Sequence, residues 1–119
     1  MDHTDVLKSI GLAARARKVV FGSALTLESV SLKKTVLVLM AKDASENTKK
    51  RVLRCCVENN TEHQALGCDG GTLAHALGKN KPLAVIGITD ENLSVLIKRK
   101  LGDINDNNAS LMTFSESEV

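Results

Sequence analysis

By residue type, the groups in this 119-residue chain best suited to chemistry are three histidines and three cysteines. His3, His63 and His75 are scattered. No Walker sequence, no GxGxxG turn after an apolar run and no nucleophile elbow accompanies them. Cys55, Cys56 and Cys68 with His63 and His75 are zinc-ligand types, but C-x-x-C and H-x-x-x-H spacings are missing, and buried structural thiols are the simpler account. An odd cysteine count with two adjacent, and no signal-peptide pattern at the start, fit a reduced cytoplasmic protein. The turn Asp69-Gly70-Gly71-Thr72 has backbone N–H groups to offer a phosphate, and it serves equally well as a helix cap. These residues predict no enzyme, no cofactor and no bound metal.

Basic residues carry more information. Arg15, Arg17 and Lys18 surround the start of a short β segment, and Lys33 and Lys34 lead into an apolar one. Lys49, Lys50, Arg51 and Arg54 share a helical stretch, while Lys98, Arg99 and Lys100 end another, where cations favour the helix dipole. Lys79 and Lys81 flank Asn80 in a short loop before Pro82, a place suited to gripping a backbone phosphate. All 16 basic residues precede Asp103, whereas the tail beyond holds Asp103, Asp106, Glu116 and Glu118. The body is therefore more basic than the overall +2, a balance that suits a polyanion. Two phenylalanines are the only aromatics, too few for a sheet surface that stacks single-stranded bases.

The elements that must position these groups follow from periodicity. Val6, Leu7, Ile10, Ala13 and Ala14 mark a helix over Thr4 to Ala16, with Thr4 or Asp2 as cap. A basic β segment, Arg17 to Phe21, stops at Gly22, and Ser23 is placed to cap a second helix. Thr35 to Ala41 and Leu83 to Thr89 are apolar runs of strand length without polar alternation, as expected of strands covered on both faces. Between them lie a helix from Ser45 to Glu58 with Val52 and Cys55 or Cys56 inward, a short strand at His63 to Leu66, and a helix opened by Asp69 and closed at Gly78. A last helix runs from Asp90 or Glu91 to Leu101. Alternation of this kind predicts a single α/β domain over residues 1–102 and a polar, acidic tail over 103–119 of the composition expected of a mobile terminus. No apolar run reaches the ~20 residues of a membrane span.

In this order, Gly11-Leu-Ala-Ala-Arg-Ala-Arg-Lys-Val-Val-Phe-Gly22, Leu37-Val-Leu-Met-Ala-Lys-Asp-Ala-Ser-Glu-Asn-Thr-Lys-Lys50, Thr72-Leu-Ala-His-Ala-Leu-Gly78 and Leu83-Ala-Val-Ile-Gly-Ile-Thr-Asp90 resemble the YlxQ-type bacterial proteins. Those belong to the superfamily of ribosomal proteins that bind kink-turn RNA. The resemblance covers about Val6 to Leu101 and implies a three-layer α/β/α sandwich around a four-stranded mixed central sheet. It also implies an RNA surface of two parts: Gly22, Ser23, Ala24, Leu25 and Glu28 at the start of the second helix, and Lys79, Asn80, Lys81, Pro82 and Leu83 before the last strand. Ser45 joins them through the Asp43 to Thr48 segment, with Arg17, Lys18, Lys33 and Lys34 as accessory cations.

The first part departs from the family pattern. That pattern has Gly, a small or polar residue, Asn or a substitute, an acid or amide, and three places later Lys. Ala24 and Leu25 here lack side-chain hydrogen-bonding groups, and Glu28 replaces a cation with an anion. Base-edge contacts contribute about 1–3 kcal/mol each, so recognition is expected to be weakened or altered, with phosphate contacts retained. The expected function is that of an RNA-binding accessory protein, partnered by kink-turn-like or ribosomal RNA and by a ribosomal or translation-factor protein. The alternative is a protein-interaction module that kept the fold and lost RNA binding, with Leu25 meeting the partner. A monomer is the default expectation, and the acidic tail is a candidate to fold over the basic surface.

Overall fold

The computed structural model of the chain describes residues 4–102. The expectations made for the tail at 103–119 and for Asp2 as a cap lie outside the described residues. In chain order the elements are α1 (Thr4–Arg15), β1 (Val19–Phe21), α2 (Ser23–Ser31), β2 (Leu37–Met40), α3 (Glu46–Glu58), β3 (Glu62–Ala65), α4 (Gly70–Ala76) and β4 (Val85–Ile88). A fifth helix, α5, occupies 91–102, opened by the Asp90 carboxylate, which accepts from the Leu93 N–H at 2.9 Å.

The strands form one sheet in the order β1-β4-β2-β3. β4 is antiparallel to both neighbours, with Phe21 opposite Ile86 on one side and Met40 opposite Val85 on the other, while β2 and β3 are parallel. Hence β1, β2 and β3 all run one way, and each leads into a helix at the same end of the sheet. β2 and β4 are central, which is why their sequences are apolar throughout. Leu37, Val38, Leu39, Val85, Ile86 and Ile88 are all fully buried.

Helices cover both faces. Leu37, Leu39, Ile86 and Ile88 pack with Val6, Ile10 and Ala13 of α1, Leu73 of α4, and Ile97 and Leu101 of α5. Val38 and Val85 point the other way, to Val30 of α2 and Val52 and Cys56 of α3. The α/β/α sandwich with a mixed four-stranded sheet is the expected architecture. Each such Leu, Ile or Val removed from water contributes about 1.5–3 kcal/mol, and almost none of the core is aromatic, in keeping with the composition. No helix among the described residues is long and apolar enough to cross a membrane.

Element ends differ from the sequence reading where a helix closes. β1 was expected from Arg17, but Arg17 has φ 62°, and the N–H groups of Arg17 and Lys18 return to the carbonyls of Ala14 and Ala13 at 3.0 and 2.8 Å. The pair ends α1 in a Schellman motif and cannot start the strand. α2 ends in the same way on Lys33, with φ 63°, and α3 on Asn60, with φ 56°. A side chain at such a position strains the backbone. Arg17→Gly is therefore expected to raise stability by roughly 0.5–1 kcal/mol, read as a higher urea midpoint with an unchanged slope. β4 likewise begins at Val85 and not at Leu83, because the Leu83 N–H is bonded to Gly70 O at 3.0 Å.

Candidate nucleic-acid interface

The end of the sheet where β1, β2 and β3 finish collects the starts of α2, α3 and α4 and the loop that enters β4. Backbone bonds knit these segments together. The Gly22 N–H donates to Val85 O at 2.9 Å, Ala41 N–H to Ala84 O at 2.8 Å, and Lys42 N–H to Cys68 O at 2.9 Å. The Asp43 carboxylate accepts the Gly70 N–H at 2.9 Å across 27 residues of chain. Gly70 has no room for a side chain, since a Cβ there would stand 2.9 Å from the Leu83 carbonyl oxygen. Both parts of the expected RNA surface thus sit on one scaffold, joined at Gly22 and Val85.

The start of α2 is open. Gly22, and not Ser23, is the N-cap, at φ 92° and ψ 155° with no side-chain cap bond. That backbone region is essentially confined to glycine, so Ser23 becomes the first helical residue. The N–H groups of the first turn are left without a cap side chain or an acidic neighbour, a natural seat for an anion. Ser23 is half-buried, Ala24 is exposed, and Leu25 is 58% exposed. Glu28, one turn along, is exposed too. Among the described residues the one ion pair is Lys98 with Glu62 at 2.6 Å, far from it in sequence, so no salt bridge neutralises the Glu28 charge.

Facing α2 is the second part. Lys79, Asn80, Lys81 and Pro82 are exposed, while Leu83 is half-buried and packs against the larger core cluster. The loop leaves α4 through Gly78, φ 72°, with Lys79 N–H closing on Ala74 O at 2.8 Å. The Lys79 ammonium then lies 4.2 Å from the centre of the Phe21 ring, the residue just before Gly22. This cation–π contact fixes one positive charge over the last residue of β1, on the face of the sheet that α1 and α4 cover. Nothing in the spacing of Phe21 and Lys79 announced it.

The remaining expected residues are distributed differently. Ser45 lies at this end as the N-cap of α3, but its hydroxyl is engaged within the chain, accepting from Thr48 N–H at 3.1 Å and donating to Thr48 Oγ1 at 2.9 Å. Arg17, Lys18, Lys33 and Lys34 precede β1 and β2 and so lie at the opposite end of the sheet, where the Lys33 ammonium donates to Asn59 O at 2.8 Å. The fold does not bring these four together with Gly22 and Lys79.

Thiol chemistry finds little support here. Burial, and then neighbouring Cys55, push the Cys56 thiol up to about 11, and burial also raises Cys68, so both are protonated at neutral pH. Among the described residues no group of three or more His, Cys, Asp or Glu side chains is placed to hold a metal. Asp69 caps α4: its carboxylate accepts the Thr72 N–H at 2.7 Å. The Thr72 N–H and then the Thr72 hydroxyl hold its pKa below the usual carboxylate value. A depressed folded pKa stabilises the fold above the unfolded value and stops doing so as pH falls through the folded one. Asp69→Asn, which keeps an acceptor but not the charge, is expected to flatten the acid side of the stability profile, followed by urea midpoint against pH.

Comparison with known proteins agrees with this architecture. The sequence profile of the Ribosomal protein L7Ae/L30e/S12e/Gadd45 family matches residues 4–97. A protein named RNA-binding protein YlxQ from Enterococcus faecium is 34% identical over 89 residues, 71% of this chain and 80% of that protein. Its namesake from Bacillus subtilis (strain 168) is 33% identical over 85 residues, 71% of this chain and 83% of its own. Among solved structures, a Bacillus halodurans protein of unknown function has a TM-score of 0.74 at 31% identity, over 79% of this chain and 93% of that one. The Giardia lamblia 15.5kD RNA binding protein, at 18% identity and TM-score 0.69 over 83% of each chain, shares the fold. The chain belongs to the Ribosomal protein L7Ae/L30e/S12e/Gadd45 family, and within it to the YlxQ type.

Proposed function

We propose that this protein binds structured, kinked RNA at the end of the sheet where α2 begins, relying on phosphate and shape contacts more than on base reading. The observation that carries the reading is the junction itself: the Gly22 N–H bonded to Val85 O places an uncapped helix start beside the Lys79–Leu83 loop. Relatives that bear the name RNA-binding protein support the class of ligand. In this reading backbone N–H groups and the Ser23 hydroxyl receive one stretch of RNA. Lys79, Asn80 and Lys81 hold the phosphates of the bulged nucleotides, and Pro82 gives the loop a rigid apolar edge. Ala24 and Leu25 supply no base-edge hydrogen bond, and Glu28 opposes the phosphates, so affinity is set chiefly by charge. An accessory role beside the ribosome or the translation machinery in the cytoplasm fits such binding, with no catalytic step.

The reading is tested by titrating the protein with a kinked hairpin RNA and an unkinked duplex of equal length at two salt concentrations. A preference for the kinked RNA that survives the higher salt supports recognition by Gly22, Ser23 and the loop; equal affinities for the two RNAs would reduce the protein to a general polyanion binder. Glu28→Lys restores a cation where the family has one and is expected to tighten kinked-RNA binding by about tenfold at low salt. An unchanged affinity would place Glu28 outside the contact. The exposed Leu25 favours a second reading, a protein partner docked on α2; absence of RNA binding at any salt would move the assignment there.

A further inference from the structure

Between α1 and α4 run two adjoining depressions of about 520 and 480 Å³, which share Gly11, Arg15 and Ala76. The second ends on Lys79 and Phe21, so this groove opens directly onto the loop of the proposed interface. Small residues keep it open: Gly11 and Ala14 on α1, Ala76 and Gly78 on the α4 side. Among the described residues every ionisable side chain that lines it is a base, namely Lys8, Arg15, His75 and Lys79. All four are exposed. Lys8 and Arg15 are seven residues apart, two helical turns, and so share one stripe of α1 about 10 Å long.

Helix C-termini normally repel anions, and both α1 and α4 end beside this groove. Two carbonyls of the last turn of each helix are already occupied, however. The N–H groups of Arg17 and Lys18 bond to Ala14 and Ala13, and those of Gly78 and Lys79 to His75 and Ala74. Positive side chains therefore dominate what the groove presents to solvent.

We infer that the α1–α4 groove is a second RNA-binding site, a track for the phosphate backbone of an unpaired ribonucleotide strand that continues from the kinked element held at the Lys79–Leu83 loop. Charge complementarity and continuity with that loop select an RNA strand as occupant over an apolar ligand. Leu12, 53% exposed on the rim, and the Arg15 guanidinium offer faces on which an unstacked base can lie. The inference rests on the proposed RNA function but adds to it, because Lys8 lines the depression farther from the loop and not the one that ends on Lys79.

The test uses the full chain and two forms of one kinked hairpin RNA, ending flush or carrying a single-stranded extension of about eight nucleotides, attached at each end in turn. The protein is expected to bind the better extended form about fivefold more tightly than the flush form at moderate salt. Lys8→Ala with Arg15→Ala should abolish that gain and leave affinity for the flush hairpin unchanged. Because both side chains are exposed, the variant should keep the fold, checked by its unfolding midpoint. Equal binding of flush and extended RNA by the unaltered protein overturns this inference alone. A gain that persists in the variant does the same. Failure to bind either RNA overturns the proposed function along with it.

Discussion

Lys79→Glu combined with Lys81→Glu is expected to weaken binding to a kinked RNA by about a hundredfold or more at low salt, and to reduce the slope of log affinity against log salt by about two. Both side chains are exposed in the loop before β4, so the change should leave the fold intact. Its effect is large because Lys79 is held in place: its ammonium sits 4.2 Å over the ring of Phe21, the residue that precedes the Gly22 cap of α2. Reversing it puts a repelling negative charge in the loop where a phosphate would be held, and removes a cation–π contact of about 0.5–1 kcal/mol. Lys18→Glu with Lys34→Glu makes the same change in net charge at the other end of the sheet. Screening over about 8–10 Å at ordinary salt should hold its effect to a few-fold. If the two double variants lose affinity equally, charge acts without location and the loop is not the contact.

The second large effect concerns stability. Gly87 lies in the middle of β4, opposite Val20 on one side and Val38 on the other. A Cβ added there would stand 2.9 Å from both Cγ2 and Oγ1 of Thr35 and 3.0 Å from Cγ2 of Thr26. Neither threonine has freedom to move aside. Thr35 is 3% exposed and Thr26 fully buried, and their hydroxyls donate to Ser29 Oγ at 2.7 Å and to Val20 O at 3.3 Å. Gly87→Ala is expected to cost about 2–3 kcal/mol, the upper part of the range for overpacking a filled core, which for a domain of this size lowers Tm by about 10 °C or more. Thr35→Ala removes two of the three obstructing atoms, so the cost of Gly87→Ala measured in that background should fall below its value in the native chain. A cost that stays the same would show that the strain is not at Thr35.

Much of the architecture was legible because its signals are local. The unbroken apolar runs around Leu37–Met40 and Val85–Ile88 could only be strands covered on both faces, and Ser45 and Asp69 announced the helices they cap. Closing turns were less legible. Arg17 and Lys33 occupy left-handed positions more often given to glycine, so the sequence carries no stop signal there, and β1 begins at Val19, two residues later than its basic, apolar run suggests. At Gly22 the opposite happened: Ser23 has the side chain of a cap, but the glycine's backbone conformation takes the capping position.

The candidate site was legible in part, through the resemblance and not through spacing. Gly22–Leu25 and Lys79–Leu83 are separated by more than fifty residues, and only the antiparallel pairing of Phe21 with Ile86 makes them neighbours. Adjacency to a strand does not say which end of the sheet a residue occupies, which is why Lys33 and Lys34 look like companions of Lys79 in the sequence and lie opposite it in the fold. The Asp43 to Gly70 bond and the Lys79 to Phe21 contact depend on tertiary placement alone.

The most direct test of the central claim is a map of amide chemical-shift changes as a kinked hairpin RNA is added to the isotope-labelled protein. The account predicts that the largest changes fall on Gly22 to Leu25 and on Lys79 to Leu83, with small ones at Lys18, Lys33 and Lys34. Changes concentrated at those three lysines, or spread evenly over the basic residues, would contradict it.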